Sequence, residues 1–316
     1  QAAADTGIGL TLLPVLYERA GFQQPALRDD QRRFATSVAD VLALRQGVLA
    51  AGQAQVTAGV AIHSLRAAQP ASVTQLAHAL ADADSPIHIH IAEQTAEVDD
   101  CLAATGRRPI DWLAQQVALD GRWHLVHATH ATPAEIDTVG RAGAGVVICP
   151  STEANLGDGL VDLPRWLASA AMLSLGSDSH VSRQWPSELR LLEYGQRLAL
   201  RQRNVAAAPQ LGLDATAARL FNRHLAGGAA AAGFSAWGLV PGARADLLVI
   251  DTQADGLAGV PPSHAIDALV FATDAPAWRE VWVAGQRRVA DGRHRQQAAL
   301  RSGFADAMAA LWPQPG

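Results

Sequence analysis

Three short runs in this 316-residue chain place groups able to ligate a metal or move a proton where apolar strands would stop. They are His88-Ile89-His90-Ile91-Ala92-Glu93, Val126-His127-Ala128-Thr129-His130 and Gly176-Ser177-Asp178-Ser179-His180. A histidine, a glutamate three residues on, a histidine from a second strand and an aspartate from a third suit a hydrolytic metal and its attacking water. Side chains alternate along a strand, so His88 and His90 face the same way. His90, nearer the strand's end, is the one expected to reach a metal, with His88 in the layer beneath. Glu93, just past that end, is placed to exchange protons with a substrate above the metal. His127 reads as a donor that polarises the atom under attack or steadies the water, and His130 as loop surface. Asp178 follows the apolar run Leu173–Leu175, and a carboxylate delivered to the rim of a buried strand needs a partner. Taken singly, each group has a plainer reading as a core histidine or a surface ion pair; their convergence is what points to chemistry.

A fourth cluster, His63-Ser64-Leu65-Arg66, closes an earlier strand. His63 offers a neutral or cationic donor and Arg66 a planar fork for a carboxylate. A surface salt bridge is the plainer alternative for Arg66. The turn-rich stretch Cys149–Gly159 reads as a rim loop with no catalytic group of its own.

These groups need a scaffold that brings strand ends together. Strand-like runs near Gly9–Leu16, Val60–His63, Ile87–Ala92, Trp123–Ala128, Val146–Pro150 and Leu173–Asp178 alternate with amphipathic stretches. The latter are Asp30–Ala50, Ser72–Leu80, Pro109–Val117, Pro133–Ala142 and Ser187–Leu200. Alternation of this kind predicts an α/β fold with a parallel sheet. Six βα units suit a (β/α)8 barrel of the metal-dependent hydrolase kind lacking its first two strands, with working residues at the C-terminal strand ends. After an Ala-rich helix over Asp214–Ala232, the stretches Gly238–Asp251 and Val281–Val289 read as short strands with glycine turns. The expected division is a partial barrel over 1–232, then a β-sandwich portion with a terminal helix over 233–316.

Composition narrows the chemistry. A net charge of −5 argues against nucleic acid and anionic membranes as partners, and no apolar run approaches the roughly 20 residues of a membrane span. All 25 basic residues are arginine, which excludes a lysine Schiff base, a P-loop lysine and a carboxylated lysine bridging two metals. Cys101 and Cys149 are far apart and form no CxxC, so a reducing, cytoplasmic setting is expected. The sequence opens at Gln1 within helix-like, Ala-rich sequence, which sets the expectation that an N-terminal part lies outside it.

On the runs quoted above, together with Glu97–Cys101, Ser151–Gly159 and Gly238–Asp251, the chain resembles the amidohydrolase superfamily, in its mononuclear-zinc deaminase branch. Within that branch it is most similar to the formimidoylglutamate deiminase family. The resemblance implies one Zn2+ per site, held by His90 and Asp178, although a His/Asp site accepts Fe2+ as well. It implies Glu93, His127 and Asp178 as catalytic groups and His63 and Arg66 as substrate contacts. The implied reaction is hydrolysis of an acidic small molecule, N-formimino-L-glutamate, to N-formyl-L-glutamate and ammonia, in histidine degradation. A homodimer would be in keeping with the architecture. The family also draws two ligands from a His-x-His on its first strand, and this chain has no second His-x-His. By strand count its first strand corresponds to the family's third, so activity is expected to need the segment outside this sequence. Two readings stand beside this one: another mononuclear deaminase or chlorohydrolase acting on a heterocycle, and a barrel remnant without activity.

Overall fold

The structure is a computed structural model, and it describes residues 1–179, 183–275 and 277–312. Its strands in chain order are β1 (Leu10–Leu12), β2 (Val15–Leu16), β3 (Val56–Ala58), β4 (Val60–Ser64), β5 (Ile87–Ile91) and β6 (Trp123–His127). There follow β7 (Gly145–Ile148), β8 (Met172–Leu175), β9 (Leu247–Ile250), β10 (Trp278–Val283), β11 (Gln286–Ala290) and β12 (Arg293–His294). One parallel sheet runs in the order β2-β4-β5-β6-β7-β8. Helices make the crossovers, among them Pro70–Ala79 after β4, Thr95–Thr105 after β5, Pro133–Arg141 after β6 and Pro150–Leu156 after β7. Among the described residues β2 and β8 each pair with a strand on one side only, so the sheet does not close on itself.

The sheet's two faces follow from period-2 alternation. Ile87, Ile89 and Ile91 of β5 are fully buried, while His88 and His90 between them face the other side and are half-buried. The isoleucine face joins Val60, Ile62, Leu125, Val146, Ile148 and Leu173 in one core with Val73, Leu76, Ile110, Leu113, Ile136, Val139 and Trp166. Those latter residues come from the crossover helices, which is the layering expected of a parallel sheet.

Local chemistry sets several boundaries differently from the sequence pattern. The run Gly9–Leu16 is two strands, not one. Pro14 has no N–H to give a ladder: β1 pairs with β3 in a separate parallel pair, and β2 joins the main sheet. The stretch Asp30–Ala50 is a 3-10 segment, Asp29–Phe34, followed by the helix Val38–Ala50. Ser37 starts that helix, its Oγ accepting from Asp40 N–H while the Asp40 carboxylate accepts from Ser37 N–H at 2.8 Å. Cys149–Gly159 is not simply a loop. Pro150 occupies the first turn of a short helix, where its missing N–H costs nothing.

The helix Thr216–Ala231 lies against β8, nearest at Gly227. A Cβ at that position would fall 1.9 Å from Leu173 O and 2.7 Å from Leu173 N, so only glycine permits the approach. Gly227→Ala is therefore expected to lower stability by about 1–3 kcal/mol, read as a lower urea midpoint. Helix propensity alone would raise the midpoint, and a raised value would contradict this packing. The end of this helix reaches the histidine-bearing face of the sheet, where His88 Nε2–H donates to Ala231 O at 2.8 Å. That contact satisfies one of the carbonyls a helix C-terminus leaves free.

The remaining strands form an antiparallel sheet in the order β12-β11-β10-β9. Ala284 and Gly285, with φ of 50° and 74°, make the tight turn between β10 and β11. The last described helix, Gln297–Leu311, has no buried residue. No helix among the described residues is long and apolar enough to cross a membrane.

Candidate active site

The ends of β4, β5 and β6, and the loop after β8, bring most of the expected groups together. His90 donates from Nδ1 to the His63 carbonyl at 2.7 Å, which fixes its tautomer and leaves Nε2 as the lone-pair nitrogen. Burial, the largest influence on it, lowers its pKa, so the ring is neutral, the form a metal requires. The His127 ring stacks on it with centroids 5.5 Å apart and planes at 23°. His127 Nε2 lies 3.5 Å from Asp178 Oδ2 and 3.7 Å from Glu93 Oε1. Ligand atoms of His90, His127 and Asp178 lie within 4.8 Å of one another. Two imidazoles and a carboxylate suit Zn2+ or Fe2+.

Burial alone would lower the His127 pKa. The hydrogen bond to Glu153 and the charges of Glu93, Glu153 and Asp178 outweigh it and raise the value. A second trio, His127, Cys149 and Glu153, is as close. There burial, reinforced by the Glu153 and Asp178 charges, pushes the Cys149 thiol far up, and Glu153 Oε1 is already engaged by His127 Nδ1 and Cys149 N–H.

Strand ends here are bent by backbone conformations that L-residues avoid. Ala92, His127, Ala128 and Asp178 have φ of 50°, 70°, 47° and 48°, each costing on the order of 1–3 kcal/mol. The turn at Ala92 presents Glu93, whose N–H donates to Glu97 Oε2 at 3.1 Å. Glu97 is itself buried, and burial raises its pKa.

Arg66 stands beside this cluster, with Nη2 3.7 Å from Glu93 Oε2 and a third of its side chain open to solvent. His63 is neutral: burial first, then the neighbouring His90 and the Arg66 charge, brings its pKa to about 4. Its ring meets the edge of Tyr17 at 4.6 Å. His88 is not at the site but below it, bonded to Ala231 as described, with the His124 ring 5.0 Å away. His130 is not loop surface: it is partly buried, its Nε2 is shielded from solvent, and its carbonyl accepts from Arg108. His180, the last residue of the third run, lies outside the described residues.

Two contacts escape the sequence. Glu153 comes within 3.3 Å of His127 Nδ1 through Oε1, which also accepts Cys149 N–H at 2.8 Å. The only sequence signal is an acid in a helix's first turn, which predicts a cap and says nothing of the histidine. Tyr17, held by Gln31 Nε2–H at 3.1 Å, carries no signal beyond being one of two tyrosines.

The Amidohydrolase family pattern matches residues 1–288. A formimidoylglutamate deiminase of Pseudomonas aeruginosa is 45% identical over 98% of this chain and 68% of its own length. The crystal structure of an amidohydrolase from Brucella melitensis, 39% identical, superposes with a TM-score of 0.91 over 98% of this chain and 68% of that one. An atrazine chlorohydrolase from Arthrobacter aurescens TC1, complexed with zinc, is 22% identical with a TM-score of 0.84, over 98% of this chain and 68% of its own, and shares the fold.

Proposed function

Because this chain belongs to the amidohydrolase family, we propose that it serves the hydrolytic deamination of N-formimino-L-glutamate to N-formyl-L-glutamate and ammonia, a step of histidine degradation. The observation that carries the reading is the Arg66 guanidinium 3.7 Å from Glu93, at the edge of the His90–His127–Asp178 cluster. A fixed cation there suits a substrate that carries carboxylates next to the amidine to be cleaved. His90 and Asp178 would hold the metal, zinc by preference, and His127 is within the same reach. When bound, the metal supplies Lewis acidity that makes a water nucleophilic near neutral pH.

The chain's own residues do the rest. Arg66 pairs with a substrate carboxylate and sets the position of the formimino carbon. His63, neutral and held between Tyr17 and His90, adds a contact beside it. Asp178 takes the proton of the attacking water. His127 Nε2 faces the attacking water and, as an acceptor, orients one of its O–H groups. A carbon–oxygen bond forms as the C=N of the protonated amidine becomes single. Glu93, as the acid, delivers a proton to the terminal nitrogen, the carbon–nitrogen bond breaks and ammonia leaves with the electron pair. The added hydroxyl returns its proton to Glu93 as the formyl C=O forms.

Arg66→Met tests the assignment. Losing a charge-assisted pair costs about 1.5–3 kcal/mol, so kcat/KM on N-formimino-L-glutamate should fall about 10- to 150-fold, mostly through KM. An unchanged value would remove the carboxylate from the account and favour a flat, neutral heterocycle as substrate.

A further inference from the structure

We propose that Glu153 is a positioning residue that keeps a proton on His127 Nδ1 and so turns His127 Nε2 towards the reacting atoms. The inference rests on the role of His127 given above. The two nitrogens of this ring face different carboxylates: Glu153 at 3.3 Å from Nδ1, and Asp178 and Glu93 at 3.5 and 3.7 Å from Nε2. The side chains of His127 and Glu153 are 1% and 4% exposed, so bulk solvent does not compete for either partner. With the ring stacked on His90, Glu153 is the carboxylate left to Nδ1. A buried carboxylate on one imidazole nitrogen fixes the tautomer and the plane of the ring, and makes the other nitrogen a defined donor or acceptor.

Glu153 is itself anchored. Its Oε1 receives Cys149 N–H at 2.8 Å. The neighbouring Thr152 donates from Oγ1 to Ser177 O at 3.1 Å and accepts Ser179 N–H at 3.2 Å. The short helix Pro150–Leu156 thus braces two groups at once, the His127 ring and the loop that carries Asp178. A helix cap alone would engage Cys149 N–H and leave the imidazole to its other neighbours.

The test reads the His127 tautomer by 15N NMR at neutral pH, with the ring signals assigned through bonds from the His127 backbone. In the unsubstituted chain His127 Nδ1 is protonated. In Glu153→Leu the proton moves to Nε2, because Asp178 and Glu93 are then the nearest acceptors. Glu153→Gln keeps Nδ1–H, since the amide oxygen still accepts. A bare Nδ1 in the unsubstituted chain overturns the inference, which needs no variant to fold. So does a Glu153→Leu spectrum that matches the parent while its melting temperature drops, as a pure cap would give. The readout is independent of turnover, so absence of ammonia release with Nδ1–H intact would count against the proposed reaction and not against Glu153.

Discussion

Glu93→Gln in the metal-loaded protein will lower kcat on N-formimino-L-glutamate by about 10²–10⁴-fold, the range that removal of a positioned proton-transfer group spans. The substitution is nearly isosteric. It leaves the Glu93 N–H bond to Glu97 and the left-handed turn at Ala92 in place, so folding is not the issue. It removes the carboxylate placed between the arginine and the imidazole, with one oxygen 3.7 Å from each. It also removes the charge that competes with substrate for Arg66, so KM should stay level or fall. A variant with kcat within tenfold of the parent, or with a raised KM and unchanged kcat, would take Glu93 out of proton transfer and make it a binding residue.

Asp178→Asn carries the second large effect, and it is visible without turnover. An anionic oxygen is lost from the set whose ligand atoms lie within 4.8 Å, leaving two imidazoles and a weak amide oxygen. A metal that binds only the folded chain stabilises it by about 2.7 kcal/mol at a hundredfold excess over its dissociation constant. The parent should therefore show a zinc-dependent rise in unfolding midpoint, and Asp178→Asn should lose most of it at the same zinc concentration. Turnover should fall with it, because the same carboxylate is the proposed acceptor for the water's proton. An identical zinc-dependent rise in the variant would place the metal elsewhere, and His90 with His127 would have to hold it unaided.

How far such expectations can be read from sequence depends on the range of the interaction. The β5 pattern, three isoleucines alternating with two histidines, encodes both the buried face and the direction of His90 in local periodicity, and the structure follows it. Glu93, Asp178 and Arg66 were legible for a related reason: each sits just past an apolar run, and a parallel sheet collects such ends on one side. Glu153 was not legible. Its contact joins residues 26 apart through a crossover, and Ser, Thr, Asn and Gly around it mask a short helix. The left-handed turns at Ala92, His127 and Asp178 were hidden too, because none of these positions is glycine. The split at Pro14 could have been foreseen from its missing N–H, but the apolar run around it reads as continuous. Gly227 and Gly228 inside an Ala-rich helix were the visible trace of its close approach to β8; which strand it meets is a tertiary fact.

The most direct test is ammonia release from the metal-loaded protein, in the form its own cell makes, offered N-formimino-L-glutamate and, separately, a neutral purine nucleoside and a triazine at equal concentrations. Ammonia and N-formyl-L-glutamate should appear in equal amounts from the acidic amidine, and nothing from either ring. Release from a ring with none from N-formimino-L-glutamate, or from no substrate at all, would contradict the proposed reaction.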